Sequence, residues 1–214
     1  MVTAALKLYE NLSLNYFLEN FIDLLKKLSK GKPVGIKICL GNPEEFENFC
    51  YEIRCSNIIP DFITLDCSSG GSGSAPYEYM EFVGQTLQSA IPFVDKTLKD
   101  FGLRDEIKII ASGRITYSAD IVAVIALGAD LASAARPFMV AMGCVQALDC
   151  ASNNCPTGIA TQNKNLSSTI KEKNFSNKIA NFHKLTMNGV VSLTASLGLT
   201  SIDDISSKNV CFRN

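Results

Sequence analysis

The chain has 214 residues, enough for one domain or one and a half. A formal net charge of −1 excludes the basic face a nucleic-acid-binding domain needs, and no apolar run reaches the ~18 residues of a membrane span. Eight cysteines, behind an N-terminus without a signal peptide's charged start and apolar stretch, point to a reducing, cytoplasmic setting where thiols serve metal or redox chemistry.

The opening segment predicts a helix. Leu14, Phe17, Leu18, Phe21, Ile22, Leu25 and Leu28 recur at three- and four-residue steps, and Gly31-Lys32-Pro33 ends the pattern. A continuous apolar run from Val34 to Leu40 reads as a strand, and Pro43 to Cys55 as a helix. Asp61 to Asp66 reads as a second strand. A glycine-rich loop, Ser68 to Pro76, leads into one long helix from about Tyr77 through Leu98. Lys108 to Ser112 is the third strand, Ser118 to Leu127 the next helix, and Asp130 to Ala134 a short fourth strand. Beyond Lys164 the chain turns Lys/Asn/Ser-rich, then forms an amphipathic helix from about Lys178 to Leu197.

Alternating helices and continuously apolar strands predict an α/β fold, a parallel sheet with helices on both faces. Two architectures fit: an open doubly wound sheet, or part of an eightfold barrel. In both, the site lies at the C-terminal ends of the strands. Polar and small residues gather there: Lys37, Asp66 with Gly70-Gly71-Ser72-Gly73, Ser112-Gly113-Arg114, and Ser133-Ala134-Ala135-Arg136. Two adjacent small-residue strand ends leave room for backbone N–H groups to approach a phosphate. They also suit tight strand–helix packing, so spacing leaves both readings open. Lys37 is a charge in an apolar strand: buried it demands an anionic partner, and the alternative is a lysine near the strand end that reaches solvent. His183, the one histidine, falls in the tail helix and reads as structural.

Cys144, Cys150 and Cys155 stand at C-x5-C-x4-C spacing, closed by Pro156 and Gly158. Thiolates this close in sequence can converge on one soft metal centre. Three rather than four suggest a three-iron cluster, or a four-iron cluster with an open corner. The bland alternative is three cysteines used as small hydrophobes. Cys39, Cys50, Cys55, Cys67 and Cys211 have no ligand-like grouping.

These segments form a series: Gly31 to Lys37, Pro60 to Asp66, Gly70 to Pro76, Ala111 to Ile115, Leu127 to Asp130, and Gly143 to Gln162. Together they resemble the FMN-binding synthase domain of the glutamate synthase family. The likeness runs from about residue 12 to about 185. It implies the C-terminal half of a (β/α)8 barrel, about four βα units over residues 12–165, with a helical tail over 166–214. It implies an oxidoreductase carrying FMN and a 3Fe-4S cluster. That enzyme reduces 2-iminoglutarate, formed from 2-oxoglutarate and ammonia, to L-glutamate. By the same resemblance Cys144, Cys150 and Cys155 hold the cluster, and Lys37 stands near the flavin. Ser112, Gly113, Arg114, Ser133, Ala134 and Ala135 form the phosphate loops, and Gly70, Gly71 and Ser72 belong to the loop beside flavin and substrate.

Two departures temper the likeness. The family's acid before Gly-Gly and threonine after it are Ser69 and Ser72 here. The four strands correspond to the fifth through eighth of the barrel, so the partners expected are an N-terminal half-barrel, a glutaminase subunit, and an electron donor (ferredoxin or an NAD(P)H-oxidising subunit). A non-catalytic half-barrel and an FMN oxidoreductase with another small substrate are the competing readings.

Overall fold

The computed structural model describes residues 21–168, 170 and 172–211. The predicted first helix lies partly outside them; within them α1 spans Asp23–Leu28. The chain continues as β1 (Gly35–Ile38), α2 (Pro43–Ser56), β2 (Phe62–Asp66), α3 (Tyr77–Phe82), α4 (Leu87–Asp100), β3 (Lys108–Ser112), α5 (Ser118–Ala126), β4 (Leu131–Ser133), α6 (Arg136–Ala141), α7 (Lys164–Ser167) and α8 (Glu172–Ser196).

Local chemistry sets the boundaries. Asn42 caps α2 by accepting the Glu44 N–H at 3.1 Å, with Pro43 at the first helical position. Asn57, in left-handed conformation, ends it.

All four strands are parallel and lie in sequence order, β1-β2-β3-β4. That order has no reversal point, so it is a sector of a (β/α)8 barrel rather than a doubly wound sheet. Helices cover one face, not both. Ile63, Leu65, Ile109 and Ala111 are fully buried in one cluster with Phe46, Ile53, Ile91, Val94 and Leu98 of α2 and α4. Ile36, Ile38 and Ala132 pack against the same cluster. The alternate residues Lys37, Thr64, Asp66, Ile110, Ser112, Leu131 and Ser133 point the other way, as the two-residue period requires. This is the inner wall of the barrel, and Leu131 is 55% exposed on it.

The long helix expected from Tyr77 to Leu98 is two helices. The break at Val83–Thr86 has a physical cause. The Gln85 N–H donates to Leu40 O at 2.9 Å, and its carbonyl accepts from Ser68 N–H at 3.0 Å. The backbone there ties the β1 and β2 loops together, so it cannot serve a helix. Gly84 makes the turn at φ +88°, and a Cβ added to it would lie 2.2 Å from Cys39 Sγ. Gly84→Ala should therefore destabilise the fold by about 2 kcal/mol or more, from backbone strain plus overpacking. Urea unfolding checks this, and an unchanged midpoint would refute it. Adding Cys39→Ala should recover only the packing part.

The N-terminal ends of β3 and β4 carry a fork of ion pairs that the sequence pattern does not announce. Arg104 Nε donates to Asp95 Oδ1 at 2.7 Å, and Nη2 reaches Asp130 Oδ2 at 2.9 Å. The same guanidinium donates to the carbonyls of Ile107 (3.1 Å) and Gly128 (3.0 Å). Asp130 also accepts the Ile109 N–H at 2.7 Å. This pins the β3 and β4 starts to α4.

The tail helix is longer than expected and folds back on the barrel. Val190 of α8 is buried with Val122 and Ala126 of α5. Ser118 Oγ donates to Thr186 O at 2.9 Å, and Gly189 leaves room for that hydroxyl. Phe182 meets Phe138 of α6 edge-on at 5.0 Å, and His183 lies tilted on the same ring. Among the described residues no helix is long and apolar enough to cross a membrane.

Candidate functional site

The sheet brings the expected residues to one end. Lys37 of β1 is ion-paired to Asp66 of β2, Nζ to Oδ2 at 2.8 Å. Ser112 of β3 donates its hydroxyl to Asp66 Oδ1 at 3.1 Å. Three adjacent strand ends thus share one carboxylate. Of the two readings of Lys37, the strand-end one that reaches solvent holds: its side chain is 59% exposed. The anionic partner that the buried reading required is nonetheless there.

The two small-residue loops follow. Gly113 has φ +146°, and a Cβ would meet Cys67 O at 2.8 Å, so only glycine fits this close approach. Arg114 turns away to an ion pair with Glu81 of α3. The side chains of Ser112 and Arg114 are therefore committed to protein carboxylates. What remains for an anion is backbone: among the described residues no hydrogen bond takes the N–H of Gly113, Arg114, Ala134 or Ala135. Ser133 ends β4 exposed, beside them.

The glycine-rich loop lies between these loops and the cysteines. Gly70 donates its N–H to Met80 O at 2.9 Å, and a Cβ on it would stand 3.1 Å from Gly113 Cα. Ser72 closes a turn by accepting the Ala75 N–H at 3.0 Å. At the far side, a Cβ on Gly73 would stand 3.2 Å from Cys150 Sγ. One loop therefore touches the Ser112–Arg114 segment with one glycine and the cysteine segment with another.

Cys144, Cys150 and Cys155 line one cavity of about 310 Å³ with Gly71, Ser72, Gly73, Ala135 and Arg136. Cys144 Sγ accepts the Gln146 N–H at 3.4 Å. The Thr157 hydroxyl, 3.4 Å from Cys155 Sγ, and the N–H groups of Ala160, Thr157 and Ile159 lower the Cys155 thiol to about 7. Cys50 and Cys67 behave oppositely. Burial, with Glu47 beside Cys50 and with Cys39 and Asp66 near Cys67, pushes both up to about 12. The expected trio opens together onto this cavity, yet among the described residues no three ligand side chains stand close enough to hold a metal ion. The three cysteines share a cavity, but their sulfurs do not gather at the common point that spacing suggested. Without an ion nothing draws three thiols together, and metal binding itself supplies that free energy.

Residues 9–200 match the family described as a conserved region in glutamate synthase. The chain belongs to the glutamate synthase family. It is 37% identical over 194 residues to a glutamate synthase large subunit-like protein, YerD, of Bacillus subtilis (strain 168), covering 91% of this chain and 37% of that protein. It is 32% identical to an archaeal glutamate synthase (NADPH) of Methanocaldococcus jannaschii, covering 89% and 37%. The chain thus spans little more than a third of these curated relatives. Among solved structures, a flavocytochrome b2 double mutant with pyruvate bound superposes with TM-score 0.52 at 14% identity, covering 90% of this chain and 41% of that one. That likeness concerns the fold alone.

Within this glutamate synthase framework, the donor set fits the expected groups. Soft thiols, one of them surrounded by N–H donors, suit an iron–sulfur cluster, and free backbone N–H groups at Gly113 and Ala134 suit a phosphate. Sequence reasoning had noted Asp66 only as a polar strand end, not as the partner of Lys37. Gly73 and Arg136 stand in those same strand-end groups, but nothing in their spacing shows that they line the cavity with the cysteines.

Proposed function

We propose that this chain forms the flavin and cluster region of a glutamate-forming oxidoreductase that reduces 2-iminoglutarate, from 2-oxoglutarate and ammonia, to L-glutamate. The observation that supports this is the Gly70–Gly73 loop, which packs against Gly113 through Gly70 and lines the three-cysteine cavity through Gly71, Ser72 and Gly73. A flavin and a cluster so placed would be neighbours, as electron transfer between them requires.

When bound, FMN supplies the hydride equivalent for imine reduction, and a 3Fe-4S cluster supplies single electrons. The chain's own residues do the rest. Cys144, Cys150 and Cys155 would hold the cluster. The N–H groups of Gly113, Arg114, Ala134 and Ala135 would hold the phosphate. Lys37 presents a fixed cation at the strand ends, where it would favour negative charge on a bound flavin when reduced. Asp66 holds its ammonium in place. Ser69, in the position of the family's usual acid, has no carboxylate to handle a substrate proton; Asp66, whose Oδ1 would lie 3.6 Å from a Cβ on Gly70, and Asp149, which lines the same cavity as Gly71 and Ser72, are carboxylates beside this loop. Relatives named for NADPH and for ferredoxin both match, so either class of electron donor is compatible with the family match.

The test compares FMN with riboflavin by fluorescence titration of the full chain. Charge-assisted bonds to the phosphate are each worth about 1.5–3 kcal/mol, so FMN should bind at least tenfold more tightly. Gly113→Val should erase the difference. Equal affinity for the two flavins would overturn the phosphate assignment.

A further inference from the structure

The Cys150–Gln162 segment holds a contact set that the cluster assignment does not use. Asn153 lies between Cys150 and Cys155 in left-handed conformation, φ +65°. Its Oδ1 accepts the Gln162 N–H at 2.7 Å and lies 2.9 Å from Thr161 Oγ1. The same Thr161 hydroxyl is 2.5 Å from the Asn153 carbonyl, so one proton is shared between two acceptors on one residue. Thr161 Oγ1 in turn accepts the Asn163 N–H at 3.0 Å, and Asn163 Oδ1 accepts Asn165 N–H at 3.0 Å at the start of α7.

The result is a loop closed at its neck. Residues 153 and 161–162 form the neck. Inside it, Gly158 N–H returns to Cys155 O at 3.1 Å, and the Thr157 hydroxyl lies against Cys155 Sγ. Both flanking cysteines face the cavity. The Thr161-Gln162 end of the motif thereby gains a reason. It is the landing point for the residue that sits between two of the thiols.

We propose that Asn153 is a positioning residue whose carboxamide, clasped to Thr161 and Gln162, presents Cys150 and Cys155 to a shared thiophilic metal. This rests on the cluster reading above, and it adds the residue that sets the loop. Asparagine suits the position twice: it tolerates the left-handed backbone, and its carbonyl oxygen can take two donors at once. Residues behind metal ligands typically change metal affinity by about 10–100-fold.

The experiment uses the metal-free full chain with exposed Cys39, Cys55 and Cys211 changed to serine. Cadmium is titrated and thiolate-to-metal charge-transfer absorption is read. Amide exchange at Gln162 is measured in parallel, with no metal present. Asn153→Ala should weaken cadmium binding about tenfold or more and speed Gln162 exchange. Asn153→Gly keeps the backbone freedom but loses the clasp, and should do the same. Asn153→Asp keeps the acceptor and should stay within a few-fold of the parent. Thr161→Val removes the other half of the clasp and serves if Asn153→Ala fails to fold. A parent that binds cadmium, with Asn153→Gly equally tight, overturns the clasp and leaves the thiol site standing. A folded parent that binds none overturns both.

Discussion

Arg104→Met should destabilise the protein by about 3–5 kcal/mol, the range for breaking a buried ion pair by removing one partner. Arg104 and Asp95 side chains are each 16% exposed, and Asp130 23%. The substitution leaves two carboxylates and two carbonyls facing an apolar stem. Lys99 still reaches Asp95 at 2.6 Å and Lys108 lies 3.6 Å from Asp130, but both lysines are well exposed and compensate little. Arg104→Lys should recover part of the loss, because a point charge cannot fork to both aspartates and two carbonyls. Urea midpoints at constant slope measure it. A loss below about 1 kcal/mol would mean the network is effectively solvated.

The second large effect is expected at Cys150. Anaerobic reconstitution with iron and sulfide should load the parent chain, and Cys150→Ala should abolish loading. All three proposed ligands lie between Cys144 and Cys155, lining one cavity, so no other part of the structure replaces a lost thiol there. Gly73 places a glycine against that sulfur, so Gly73→Val should reduce loading without removing a ligand. Cys50→Ala is the control: its thiol is buried in the helix-side cluster and held protonated, and loading should survive. Iron and sulfide assays with an electron paramagnetic resonance spectrum decide it. Equal loading of Cys150→Ala and parent would remove the cysteine run from the cluster.

Much of this was legible from residues alone, and the reasons are physical. Continuous apolar runs such as Val34–Leu40 mark strands, and their polar C-terminal residues mark the site end, because backbone period and sheet chemistry are local. The same locality explains the misses. Nothing near Val83 says that Gln85 will bond Leu40, some 45 positions earlier in the chain, so Tyr77–Leu98 read as one helix. The strand pattern left Lys37 either buried against an anion or reaching solvent, because a strand's period gives alternation but not which face is covered. Asp66 was visible as a letter but not as the hub of Lys37 and Ser112, a relation made only by register. The cysteine spacing named the trio, whereas the Asn153 neck depends on a conformation that spacing cannot encode.

The sequential sheet order has a consequence for how the molecule comes together. Each strand pairs with its neighbour along the chain, β1 with β2, β2 with β3, β3 with β4. Among the described residues each strand pairs with a chain neighbour, so this sheet can lengthen one βα step at a time, with loop-closure entropy paid in similar small instalments. Resistance to opening should then rise toward the middle: β2 and β3, laddered on both sides, form the slow-exchanging heart. The strand that carries Lys37 and the one that ends in Ser133 lie at the faster-breathing margins. The site is thereby split between a stiff centre, holding Asp66 and Ser112, and two looser flanks.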